Sequence, residues 1–186
     1  MSTFDMLRIS RFIDAHTVRP RIAVETGTFR GETTLKLSAM FDKVHTIELT
    51  PNLAAAARQN FVGTNINCLL GDSAELVPQL ARDIDEPVFW YLDAHWFPPK
   101  FGAPADMSRS NPFPLWSELD SIAERKYADI VVVDDVHAFG REDWGENAPD
   151  RCQEWVGLTD ATIREHLQRV ESTVTAEDKV ICYLGK

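Results

Sequence analysis

The sequence is short of the features that would place it outside an ordinary soluble class. Its three cysteines, Cys68, Cys152 and Cys182, are far apart. An odd number at such spacing suggests neither a disulfide framework nor a Cys-x-x-Cys metal knuckle, so a cytoplasmic, reducing compartment is expected. No apolar run approaches the roughly 20 residues that a membrane span needs, so no membrane partner is expected. The opening MSTFDMLRISRF has no signal-peptide core or small-residue cleavage site. Basic residues are also sparse: 29 acids face 19 lysines and arginines, the net charge is −10, and no basic cluster is longer than two residues. Nucleic-acid binding relies on phosphate neutralisation by such clusters, so the expected partner is a small molecule and not RNA or DNA.

What is present is an alternation of short β-rich runs with helical patterns over 186 residues, a length suited to one domain with a sizeable core. IAVETG (22–27) reads as a buried strand entering a glycine turn, and GETTLKLSAMF (31–41) as a helix. KVHTIEL (43–49) is a second strand, after which Thr50-Pro51 offers an N-cap and first-turn proline for NLAAAARQNF. INCLL (66–70) is a third strand, followed by Asp72 and Glu75 as a capping pair for SAELVPQLARDI. VFWYL and IVVV are strands four and five, separated by the helix LWSELDSIAERKY (115–127). A helix is expected at the N-terminus (within 1–19), and a proline-rich lid at 97–114, longer than an ordinary connection. A tail helix and a hairpin turning at Glu177-Asp178 close the chain. Successive strand–helix units predict a single α/β domain over 1–186. Its sheet is Rossmann-like, doubly wound and mostly parallel, with a C-terminal antiparallel strand.

The chemistry concentrates at strand ends. VFWYLDAHWF and IVVVDDVHAF both leave an apolar strand through D-x-H-x-F, giving Asp93, His95, Asp135 and His137, with Asp134 beside the second set. A carboxylate at the end of a buried strand is costly unless something there uses its charge. Gly27 and Gly31, in ETGTFRG, admit either a closely approaching ligand or simply a tight turn. Their G-x-x-x-G spacing differs from the dinucleotide G-x-G-x-x-G. Glu48 ends strand two at the offset, about 20 residues past the glycine turn, where nucleotide-binding sheets place a ribose-binding acid; an exposed loop acid is the alternative. Asp72 and Ser73 follow strand three, where either capping or contact with an adenine edge is open.

Taken together, Glu25, Glu48, Asp72 and Asp93 at successive strand ends make the chain resemble the class I S-adenosylmethionine (SAM)-dependent methyltransferases over essentially its whole length. The resemblance implies that Glu25, Gly27 and Gly31 bind the methionine end of SAM, Glu48 its ribose, and Asp72 and Ser73 border its adenine. GDSAELVPQL, LDAHW and VVVDDV are further similar to the metal-dependent, catechol-type O-methyltransferases. That likeness implies Mg²⁺ held by Asp93, Asp134 and Asp135, with methyl transfer to a hydroxyl of a small molecule. In those enzymes a catalytic lysine lies three residues after the first aspartate. That position here is Trp96, which leaves His95, His137 and the lid residue Lys100 as candidate general bases. His16, His45 and His166 are read as structural. Two other classes stay open: an iron oxygenase using Asp93, His95 and His137 as a facial triad, and a non-catalytic SAM- or nucleotide-binding module. The acceptor's identity and homodimer formation are not specified by the sequence.

Overall fold

A computed structural model describes residues 6–95, 113–140, 155–176 and 178–186. The expected lid falls almost wholly outside these residues, and Lys100, Trp96, Trp144 and Cys152 with it. The chain runs α1 (Met6–Asp14), β1 (Ile22–Thr26), α2 (Glu32–Ser38), β2 (Lys43–Glu48), α3 (Pro51–Asn60), β3 (Ile66–Leu70), α4 (Ser73–Asp83) and β4 (Val88–Leu92). It continues with α5 (Leu115–Ala123), β5 (Ile130–Val133), a 3-10 turn (Val136–Ala138), α6 (Asp160–Leu167), β6 (Val170–Ala176) and β7 (Lys179–Leu184).

Seven strands form one sheet in the order β3-β2-β1-β4-β5-β7-β6. The first five are parallel, and β7 pairs antiparallel with both β5 and β6. The expected α/β Rossmann-like sheet is therefore present, with a C-terminal antiparallel pair of strands. Central strands buried on both faces need continuous apolar runs, and VFWYL and IVVV supply them without alternation.

Period-two side-chain direction splits the core. Val24, Trp90, Leu92, Val131 and Val133 face α4, α5 and α6, while Ala23, Phe89, Tyr91, Ile130 and Val132 face α1 and α2. On α5, Leu115, Leu119 and Ile122 recur at helical spacing and are buried. Helix starts follow local chemistry: Asp72 caps α4 by accepting the Ala74 N–H, and Thr159 with Thr162 forms a reciprocal box at α6. Thr50 is the N-cap residue of α3, with Pro51 beginning the helix, but its side chain makes no cap bond; its N–H instead donates to Glu48 at 2.8 Å.

Strand order reverses between β1 and β4. In an open α/β sheet, that switch point opens a crevice at the carboxyl ends of the strands, where ligands bind. Glu25-Thr26-Gly27 and Asp93-Ala94-His95 leave the sheet there as neighbours.

Candidate active site at the carboxyl edge

The β1 turn is held from within. Glu25 is 1% exposed, and its Oε2 accepts from Thr34 Oγ1 at 2.5 Å and Thr46 Oγ1 at 2.6 Å. Burial pushes its carboxyl up to about 7; the two hydroxyl bonds oppose the shift and nearby Glu48 adds to it. Glu48 holds the same turn from the next strand, with Oε2 accepting the Phe29 N–H at 2.8 Å and Oε1 the Thr50 N–H. Gly27 has φ 85, Phe29 φ 46 and Gly31 φ 78, so the turn is left-handed at three positions. A Cβ on Gly27 would lie 2.8 Å from the Asp93 carbonyl oxygen, and one on Gly31 2.5 Å from Phe61. Of the two readings of these glycines, tight packing is the one visible: the close approach is by β4's own backbone and by an aromatic ring. Thr26 completes the junction, its Oγ1 accepting the N–H groups of Asp93 and Ala94, each at 3.2 Å.

Asp72 and Ser73 lie at the start of α4, and Ser73 is buried. Glu48, Asp72 and the β1 turn thus occupy successive carboxyl ends of one sheet, as the strand-end pattern requires.

Across the switch point, Asp93, His95 and Asp135 converge, with their ligating atoms within 4.8 Å of one another. His95 Nε2 donates to Asp135 Oδ2 at 2.6 Å and lies 3.8 Å from Asp93 Oδ1. Desolvation, then the Asp134 charge, pushes the Asp93 carboxyl well above the ordinary range. Asp135 goes the other way: burial would raise it, but the hydrogen bond and charge of His95 win and lower it.

Asp134, expected among the metal ligands, is directed elsewhere. Its Oδ1 accepts from Lys179 Nζ at 2.9 Å and from the Asp135 N–H at 2.8 Å, and its Oδ2 accepts a short bond from Tyr91. Tyr91, Asp134 and Lys179 are all buried, and burial followed by the Asp134 charge raises the Tyr91 hydroxyl's pKa. This network seats the backbone so that Asp135, at φ 59, turns its carboxylate back toward His95. His137 does not join Asp93 and His95, although it shares Asp135 with them. It is mostly exposed, its Nδ1 bonds Asp178 Oδ2 at 2.8 Å, and it belongs with Asp135 and Asp178. Among the described residues, Asp93, His95 and His137 do not gather as an iron triad.

The structural histidines are as expected, each with a partner: His16 with Ser172 and Phe12, His45 with Asn67, and His166 with Asp120 while stacked on Trp116. Three site residues escaped the sequence reading. Tyr91 and Lys179 sit in strands with no flanking signal. Glu118 did carry one: it falls on the apolar stripe of α5 between Leu115 and Leu119. A charge at a core position of an amphipathic helix needs explaining.

No family model matches the sequence, and no curated protein does. Solved structures do match. SMU.1697c of Streptococcus mutans, classed with the methyltransferases and solved with SAH, is 14% identical with a TM-score of 0.60, over 98% of this chain and 99% of that one. The chain has the methyltransferase fold. MycE, a methyltransferase of the mycinamycin biosynthetic pathway solved with Mg, SAH and mycinamycin VI, aligns at TM-score 0.62 and 11% identity over 98% of this chain, which spans 51% of MycE. An rRNA methylase from Streptococcus thermophilus aligns at TM-score 0.51 and 17% identity over the whole of both chains. The fold is therefore shared by proteins named for small-molecule and for RNA methylation, and does not by itself choose the acceptor. No helix among the described residues is long and apolar enough to cross a membrane.

Proposed function

We propose that the protein is a SAM-dependent methyltransferase acting on a hydroxyl oxygen of a small molecule. The observation that carries this reading is the meeting, at the switch point of a methyltransferase-type sheet, of the acid-braced β1 turn with the Asp93–His95–Asp135 cluster. In this reading Glu48, each of whose oxygens accepts a single backbone N–H and keeps a further lone pair, receives the ribose, and Asp72 and Ser73 border the adenine. Gly27 and Gly31 shape the turn against which the methionine end of SAM lies. Glu25 acts through that turn, because its hydrogen-bonded oxygen is spent on Thr34 and Thr46.

Methyl transfer to oxygen requires that the acceptor lose a proton. His95 is placed for this: Asp135 fixes the ring and stabilises its protonated form, the arrangement of a general base with an orienting acid. Asp93 Oδ1 lies 3.8 Å from the same ring nitrogen. Lys100 and His137 are the further base candidates. Lys100 lies outside the described residues, and His137 is drawn toward Asp178. The net charge of −10 favours a small acceptor over RNA.

The same three side chains fit a divalent cation, since two carboxylates and an imidazole bring their donor atoms together. The carboxylates suit Mg²⁺, and the imidazole widens the choice toward transition ions. Such an ion would lower the pKa of the acceptor hydroxyl. Asp134 does not fit this set, because both its oxygens are engaged by Lys179, Tyr91 and the Asp135 N–H.

Calorimetry with SAM and SAH tests the reading, and absence of binding with and without added Mg²⁺ refutes it. Turnover on a panel of phenols, catechols and sugar hydroxyls is then measured with and without chelator. Loss of activity in chelator together with loss in Asp135→Asn supports the cation. Full activity in chelator leaves the His95–Asp135 pair as the base. SAM binding without turnover on any acceptor class would point to a non-catalytic module.

A further inference from the structure

Glu118, on α5, is 1% exposed, and neither of its carboxyl oxygens has a hydrogen-bond partner among the described residues. The Ser73 and Thr26 hydroxyls lie near enough to favour its ionised form, yet neither meets hydrogen-bond geometry with it. Its side chain lines a cavity that also touches Asp93, His95 and Asp134, with Leu92, Phe113 and Trp155 among the apolar walls. The cavity measures about 10 Å³, close to the space that one water molecule requires. Leaving a buried carboxyl unbonded is costly, and although the walls are mostly apolar, the polar groups of Glu118, Asp93, His95 and Asp134 at this cavity supply the two to four partners that retain a water.

We propose that Glu118 anchors one buried water that joins it to the Asp93–His95 side of the site, making Glu118 a positioning residue for His95. Burial pushes its carboxyl up to about 8, toward the protonated form, which offers both a donor and an acceptor to that water. The charged and titratable groups around it are Asp72 from α4, Asp93 and His95 from β4, and Asp134 from β5. A neutral carboxyl is the form that these acids tolerate. The neighbouring hydroxyl of Thr26 already bonds the Asp93 and Ala94 backbone, so Glu118 and its water would brace the same segment from the cavity side.

The proposal does not depend on the reaction being methyl transfer, so it survives or fails separately from SAM binding. A high-resolution crystal structure of the unaltered protein is the first experiment. One ordered water within hydrogen-bond distance of a Glu118 oxygen and of Asp93, His95 or Asp134 is expected; a dry cavity, or a carboxyl turned away from it, overturns the proposal. The second measurement is ring-nitrogen NMR of His95 across pH. Glu118→Leu, close in size, should expel the water and change the His95 tautomer ratio, while Glu118→Gln should keep the water and restore that ratio. Unchanged His95 resonances in Glu118→Leu overturn the positioning role. Should that variant not fold, the crystal structure of Glu118→Gln carries the decision, with retention of the water expected and its loss overturning the proposal.

Discussion

The strand β5 carries a buried ion pair at each end, and the two pairs have been put to different uses. At its start, Arg125 Nε donates to Asp129 Oδ2 at 2.7 Å. The same guanidinium donates to the carbonyls of Ala81, Ile84 and Glu86, while Asp129 Oδ1 accepts the Val88 N–H. Every bond of that group seals the amino edge of the sheet. At the other end, the pair of Lys179 with Asp134 is just as buried but is continued outward by Asp135, His95 and Asp93 into a cluster of competing charges. Direction along the strand decides the difference, because only the carboxyl edge opens at the switch point. A buried charge pair is weak evidence of function in itself; the converging titratable side chains that continue the second pair are what distinguish it from the first.

The comparison breaks most readily at the two cations. Removing one partner of a buried pair strands the other, at a cost of about 3–5 kcal/mol. Arg125→Met and Lys179→Met should therefore both lose stability of that order in urea unfolding. Their ligand readouts should diverge. Arg125→Met should keep SAM affinity and turnover within about twofold wherever it remains folded, since its contacts lie at the amino edge. Lys179→Met should also release Asp134, let Asp135 leave its left-handed conformation, and lower turnover at least tenfold. Equal effects on turnover would erase the distinction between the edges.

A second, smaller effect separates the two sides of the switch point by their response to pH. Glu25 is raised to about 7 in the folded protein against an ordinary carboxyl near 4.5. Between those values the folded state holds more protons than the unfolded one, so stability falls as pH rises through that window. The shift corresponds to roughly 3 kcal/mol at most. Glu25→Gln, which cannot ionise, should flatten that part of the curve by about 2–3 kcal/mol in urea titrations from pH 4 to 8. Asp135, lowered by His95, acts with the opposite sign: the stability it contributes is lost as pH falls through its depressed folded value. An unchanged slope in Glu25→Gln would mean that its carboxyl is not desolvated as the β1 turn implies.

How legible these features were depends on whether local sequence determines them. The five parallel strands were readable because two-sided burial forces apolar runs such as VFWYL and IVVV, and their ends because Asp93 and Asp134 interrupt those runs. The strand-end acids could be placed along one edge because strands joined by crossover helices run parallel, which puts their carboxyl ends together. Partner choice was not readable. Asp134 and Asp135 are adjacent and chemically identical, yet one turns in to Lys179 and the other out to His95. The lysine lies 45 positions away, beyond a hairpin. Asp178 likewise draws off His137, 41 positions away, which sequence could set beside His95 only by analogy of motif. Glu118 was the reverse case: its signal was present in the helical stripe, but only three-dimensional burial shows that both oxygens lack a partner among the described residues.

The smallest expected effect gives the sharpest test of the twin D-x-H-x-F segments. The two motifs are alike in sequence, but His95 is 16% exposed and His137 63%. A mostly exposed imidazole gains little from its ionic partners, so His137→Ala should change stability by less than about 1 kcal/mol and turnover by less than twofold. His95→Ala removes a base oriented by Asp135, and general-base catalysis contributes about 10²–10⁴-fold, so its turnover should fall by at least that lower figure. If His137→Ala instead matched His95→Ala, the proton acceptor would have to be sought on the Asp178 side of Asp135, and the cavity that holds Glu118 would lie behind the wrong histidine.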